Sequence, residues 1–235
     1  MIFNLNPDEH AKALANLQLA IGYQFHDQNL LKEAFIHPSY AMEQNSPKQN
    51  QRLEYLGDAV LQIILSEYLF HEMPDAQEGI LTRMRSNLVN EQANASYTLR
   101  LGLDKMLLLG HGECTSNGRK RPSLLGDLFE AFLGALYLDG GLEFCREFVL
   151  KLLPNLQEVE DRLEVEDNPK GTLLMFCQGH KIGVPQYQLV ERTGPVHAPV
   201  FTVRVTVDGI GSAEASASTH KEAESRAASR LLLSL

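Results

Sequence analysis

At 235 residues, 44% hydrophobic and 22% charged, the chain has the make-up of a folded globular protein, long enough for one large or two modest domains. It holds no apolar run near the roughly 20 residues of a membrane span, no basic-then-apolar signal segment at its start and no C-x-x-C among Cys114, Cys145 and Cys177, so a cytoplasmic protein without disulfide framework or zinc site is expected. The net charge of −9 argues against a nucleic-acid binder if taken globally, but it is uneven: residues 168–235 carry 7 Lys and Arg against 5 Asp and Glu, leaving 14 against 25 upstream.

Residues 8–21 and 27–36 have helical patterning, the second ending at His37-Pro38 because proline disfavours helix at the residue before it. A polar loop, 43–50, leads into Gln51-Arg52-Leu53-Glu54-Tyr55-Leu56-Gly57-Asp58-Ala59-Val60-Leu61. Leu53, Leu56, Val60 and Ile64 recur at helical spacing, which predicts a packed amphipathic helix. Glu54 and Asp58, four apart, share a side, and at about 100° per residue they lie beside the apolar stripe. A lone pair of this kind is more often a solvated edge. Gly57 between them, where Ala would favour the helix by roughly 1 kcal/mol, points to close approach of another backbone.

From Glu78 to about Arg100 the chain reads as helical, with Leu81, Met84, Leu88 and Tyr97 among its apolar positions and Arg83 and Arg85 solvated. The polar, basic stretch from His111 to Pro122 reads as a loop placed to meet a substrate backbone. Residues 123–138 are apolar almost all round, the mark of a buried helix. Its two charges, Asp127 and Glu130, are three apart and so on one side. Gly126 and Gly134 would thin this helix for close packing. Carboxylates in such surroundings are neutralised, paired or metal-bound, and two such pairs on glycine-thinned helices point to a shared hard-cation site. Oxygen-only ligands favour Mg²⁺, with Mn²⁺ as its substitute; the lack of a Glu-x-x-His pair argues against iron.

A further helix after Asp139-Gly140-Gly141 runs to Leu153, and the charged run 157–167 reads as an interdomain linker that could begin as helix. Beyond it the pattern changes. A short helix, 170–179, precedes a strand at Gln186–Arg192; Phe201, Val203, Val205 and Val207 then alternate with polar residues at a period of two. Asp208-Gly209 is a hairpin signal before a third strand to Ala217, and Thr219-His220-Lys221-Glu222 matches a capping box opening a helix with Ala223, Ala227 and Leu231 inward.

The runs RLEYLGDAVL and LGDLFEAFLGALYLDGG, with EGILTRMRSNLV between them, resemble the catalytic domain of bacterial ribonuclease III, and the α-β-β-β-α tail resembles a double-stranded-RNA-binding domain. The resemblance runs from about Leu17 to the C-terminus. It implies an all-α endonuclease domain at 10–156, a linker at 157–167 and an α+β RNA-binding domain at 168–235. The implied reaction is divalent-metal-dependent endonucleolytic hydrolysis of double-stranded RNA by a homodimer, leaving 5′-phosphates and short 3′ overhangs on ribosomal, messenger and transfer RNA precursors. Glu54, Asp58, Asp127 and Glu130 would hold the metal ions, Asp58 and Glu130 would lie closest to the chemistry, and Glu78 would support them beside the cleft. His37, in a His-x-Ser element, is expected to be structural. Gln51 stands where the family usually carries Glu, a departure that bears on subunit contacts.

RNA-binding modules of this kind read A-form shape through minor-groove 2′-hydroxyls and phosphates. His197 matches the minor-groove loop, and His220 and Lys221, at a helix N-terminus, match the phosphate-binding cluster. Glu222 interrupts the consecutive basic residues that the family favours, and Leu174 and Met175 replace polar positions, so weakened RNA binding is expected. No membrane and no protein partner other than a second copy is implied. Two rivals stay open here: a non-catalytic RNA binder with a degenerate nuclease domain, against which the four carboxylates argue, and a helical nucleotide pyrophosphohydrolase, which has no use for the C-terminal module.

Overall fold

The structure is a computed structural model that describes residues 4–195 and 197–235; it divides into two units, Met1–Pro154 and Asn155–Leu235. The first contains α1 (Pro7–Ile21), α2 (Gln28–Ala34), α3 (Pro38–Glu43), α4 (Gln51–Glu72), α5 (Glu78–Val89), α6 (Glu91–Leu101), α7 (His111–Thr115) and α8 (Pro122–Leu150). Helix α1 starts on a capping box, Asn6 with Glu9, and stops at Gly22 in the left-handed region. Helix α8 is the core of the unit, with Leu124, Leu125, Leu128, Phe129, Ala131, Phe132, Leu133, Ala135 and Leu136 all buried. Helices α2, α4 and α6 pack around it, which is why its sequence is apolar on every side. Gly141, at φ 78° and ψ 176°, breaks its path, a conformation that glycine alone adopts without strain.

Three local expectations change. Residues 78–100 are two helices, not one: Asn90 takes an extended conformation and its side chain accepts from the Ala93 amide, capping α6. The turn thereby created aims α6 onto α8. Pro38 opens the short helix α3, with the His37 side chain as its cap. The basic stretch before α8 is built of α7 and a 3₁₀ turn at Gly118–Lys120. Within it Arg119 is buried and donates to the Asp104 carbonyl and to Asn4 Oδ1, while Arg121 pairs with Glu113 at 2.5 Å. These two arginines hold the structure together locally.

In the second unit the acidic run expected as linker is helix α9 (Leu156–Asp167). It buries Val159 and Leu163 and packs on α10 (Pro169–Gly179) and α11 (His220–Leu232). Strands β1 (Gln186–Thr193), β2 (Val200–Val207) and β3 (Gly211–Ala217) form an antiparallel sheet in that order, with a register shift between Leu189 and Glu191. Val205 and Val207 pack with Ala227 and Leu231, and Val203 with Ala223, all buried, so the period-two pattern and the helix stripe meet face to face. This is the all-α domain followed by an α-β-β-β-α module read from the sequence, with α9 joined to the module.

Candidate metal centre

Helices α4 and α8 approach until their backbones touch. A Cβ on Gly57 would lie 1.8 Å from the Glu130 carbonyl oxygen, and one on Gly134 would lie 2.1 Å from that of Leu53. No side chain fits at either position, so both glycines are required by the crossing. The seam sets Glu130 against the turn that carries Glu54 and Asp58. Gly126 is different: a Cβ there would meet Asn94 Cβ at 3.7 Å, ordinary contact, so the expected thinning holds at Gly57 and Gly134 and not at Gly126.

At this seam Glu54, Asp127 and Glu130, all half-buried, each offer one carboxylate oxygen within 4.8 Å of the others. Such a group of anions is unfavourable, and the proton affinities record it. Burial, then the Asp58, Asp127 and Glu54 charges, push Glu130 up to about 7, against the opposing effect of a hydrogen bond from Asn94. Glu54 is raised by burial and by Asp127. Asp127 is raised by burial and by Glu91, with Arg121 pulling the other way. Asp58 stands at the edge of the group: it is exposed and its Oδ1 accepts from Gln62 Nε2 at 3.3 Å. Oxygen donors without sulfur or imidazole, held together against their own repulsion, fit a hard divalent cation.

Comparison with known proteins assigns both units to described families. Residues 27–156 match the model of the family described as ribonuclease-III-like, and residues 169–235 match the double-stranded RNA binding motif. Ribonuclease 3 of Streptococcus gordonii is 44% identical over 220 residues, covering 92% of this chain and 94% of its own length. That of Bacillus cereus is 38% identical over 230 residues, covering 97% and 93%. The chain belongs to the ribonuclease III family. Among solved structures, a nuclease domain of ribonuclease III from Campylobacter jejuni is 35% identical with a TM-score of 0.55, covering 66% of this chain and 97% of that one. A second structure of that domain, which describes flexibility in its dimer-forming region, is 39% identical at the same TM-score, covering 58% and 92%.

As a ribonuclease III endoribonuclease, the chain carries its other expected residues as follows. Glu78 opens α5, exposed, and its Oε1 accepts from Thr82 Oγ1 at 2.9 Å. It lines a cleft with Ser66, Phe70 and Arg85, and Ser66 is two turns of α4, about 12 Å, beyond Asp58. Among the described residues Glu78 is not one of the three gathered carboxylates. Arg85 donates to Ser66 Oγ at 2.7 Å, tying α5 to α4. His37 Nδ1 accepts from the Ser39 amide at 3.1 Å and burial lowers its pKa, in keeping with a structural role. Gln51 is exposed and is bonded to Gln49.

In the RNA-binding module His197 is exposed between β1 and β2. His220 and Lys221 open α11, both exposed. His220 Nδ1 lies 3.4 Å from Glu224 Oε1, with its ring edge-on to Phe201. Glu222 pairs with Arg226 at 2.6 Å, and Leu174 and Met175 are exposed on α10. Two residues near the carboxylates carried no sequence signal: Glu91, whose charge reaches Asp127, and Asn94, which donates to Glu130 Oε1 at 2.8 Å. Both depend on where α6 docks.

Proposed function

We propose that this chain hydrolyses double-stranded RNA endonucleolytically with divalent cations, Mg²⁺ or Mn²⁺, held by Glu54, Asp127 and Glu130 and bordered by Asp58. The observation that carries this reading is the packing of three carboxylates into one half-buried group in a chain that also bears a double-stranded RNA binding motif. When bound, such cations supply charge neutralisation at the scissile phosphate and lower the pKa of attacking water. The protein's own part is to hold the carboxylates aligned in one group. Asp58, on the exposed rim next to Glu130, is placed to orient water and receive its proton as an RNA phosphate approaches. Gly57 and Gly134 hold the two helices at the separation this requires.

The C-terminal module delivers the duplex, with His197 in the minor-groove loop and His220 and Lys221 toward phosphates. Helix α4 turns Tyr55, Ile63 and Phe70, which are 83%, 53% and 66% exposed, away from the core. Large apolar side chains on one exposed stripe fit a second copy of the chain, so the working form is read as a homodimer, with Glu78 in a supporting role. Products with 5′-phosphates and short 3′ overhangs, ribosomal, messenger and transfer RNA precursors as substrates, and a cytoplasmic location complete the proposal. The test is incubation of long duplex RNA with the protein in Mg²⁺, in EDTA and in Ca²⁺. Cleavage in Mg²⁺ alone is expected, since the longer, looser coordination of Ca²⁺ suits binding better than chemistry. Full activity in EDTA would refute the metal requirement.

A further inference from the structure

Helix α6 sends two hydrogen-bonding side chains to α8. Thr98, completely buried, donates from Oγ1 to the Leu125 carbonyl at 2.7 Å, a bond between helices. Asn94, one turn earlier and 1% exposed, donates from Nδ2 to Glu130 Oε1 at 2.8 Å. The Asn94 carbonyl oxygen Oδ1 is buried and has no partner. An unsatisfied buried acceptor costs roughly 1–3 kcal/mol, a cost that leucine of similar volume would avoid. Packing therefore does not account for an amide at this position, whereas its N–H on Glu130 does.

We infer that Asn94 is a positioning residue for the metal centre: its Nδ2 amide fixes the Glu130 carboxylate through Oε1. The inference rests on the reading of Glu54, Asp127 and Glu130 as cation ligands. A glutamate has three side-chain torsions, so without an anchor its carboxylate would sample several rotamers on the open side of the seam. Asn94 is on a different helix from all three acids, and α6 is itself tied to α8 by Thr98. The amide thus adds a third helix to the site without adding charge. Partners of this kind, one bond behind a ligand, typically change metal affinity by 10–100-fold.

The test is direct titration of the RNA-free full-length protein with Mn²⁺, followed by electron paramagnetic resonance, for the parent, Asn94→Leu, Thr98→Val and Glu130→Gln, with circular dichroism on each. Cleavage of duplex RNA across a Mn²⁺ series gives a second readout. Asn94→Leu should stay folded and bind Mn²⁺ about tenfold more weakly. Its half-maximal activity should move to correspondingly higher Mn²⁺ while KM for RNA is unchanged. Thr98→Val, which removes a buried bond of the same helix pair but touches no carboxylate, should lower stability and leave Mn²⁺ affinity at the parental value. Should Asn94→Leu prove unfolded, Asn94→Ala, which only deletes atoms, takes its place in the same titration. Parental Mn²⁺ affinity in a folded Asn94 variant, with Glu130→Gln impaired, overturns the role of Asn94 alone. Parental affinity in Glu130→Gln overturns the metal-site reading and the Asn94 assignment with it.

Discussion

Replacing Glu130 by Gln should make the metal-free protein more stable at neutral pH while removing its activity. In the fold the Glu130 carboxyl is pushed from its ordinary 4.5 to about 7, by burial first and then by the charges of Asp58, Asp127 and Glu54. One pKa unit is about 1.4 kcal/mol, so ionising this group in the cation-free site costs roughly 3 kcal/mol, or roughly 2–3 kcal/mol once solvent at the open side is allowed for. The sign follows from proton counting. Below pH 4.5 both the native and the unfolded forms are protonated and nothing is lost. Between 4.5 and 7 the unfolded chain releases a proton that the native state retains, so this group makes stability fall as pH rises. Above about 7 the full cost is present. The substituted glutamine keeps an acceptor for the Asn94 amide and never ionises. Its stability advantage should therefore be near zero at pH 4.5 and reach about 2–3 kcal/mol at about pH 8, which is roughly 5–10 °C in Tm for a unit of this size. Thermal unfolding in EDTA at about pH 5 and about pH 8 measures this, and a duplex-RNA cleavage assay with Mg²⁺ measures the loss of activity. Added Mn²⁺ should raise the Tm of the parent and leave that of the variant nearly unchanged. A variant that is less stable than the parent at the higher pH without metal would refute the view that the carboxylate group is assembled under electrostatic strain.

Gly57→Ala would bring a methyl to 1.8 Å from the Glu130 carbonyl and should cost about 3 kcal/mol or more, the upper end for overpacking, with loss of cleavage. Gly126→Ala, with 3.7 Å of room, should be neutral or stabilise by up to about 1 kcal/mol; chemical denaturation of the pair checks both, and equal effects would mean that the helix crossing is not glycine-dependent. Glu222→Lys breaks the pair with Arg226 and adds a cation beside Lys221, so duplex-RNA affinity should rise and the slope of log affinity against log salt should steepen by about one to two units, measured by binding titration at several salt concentrations in Ca²⁺. Tyr55→Asp together with Ile63→Asp, on the exposed stripe of α4, should convert a dimer to monomers in sedimentation velocity without lowering secondary-structure content by circular dichroism.

The order of elements and their inward faces were readable from the chain because they are properties of local pattern. The alternation of Phe201, Val203, Val205 and Val207 could only be a half-buried strand, and the charge-poor run around Leu128 and Phe132 could only be a central helix. The acids were readable for a similar reason: Asp127 and Glu130 are the sole charges in a stretch that buries nearly everything else. Even the close approach of α4 was written in Gly57, since a glycine in mid-helix is a cost without a backbone to admit. What the chain alone left open depended on distances between segments remote in sequence. Four acids on two helices were expected as ligands with Asp58 and Glu130 foremost; the crossing draws Glu54, Asp127 and Glu130 within 4.8 Å of one another, with Asp58 exposed beside Glu130. Arg119 looked like a cation for a substrate and is buried against Asp104 and Asn4. The charged run 157–167 looked like a tether, but Val159 and Leu163, four apart, give it one apolar stripe that packs into the second unit. Asn94 showed nothing at all in sequence, because an asparagine in a helix is normally a solvated one. Only the turn at Asn90 and the docking of α6 on α8 bring its amide to Glu130, for a hydrogen bond across 36 residues of chain has no local signature.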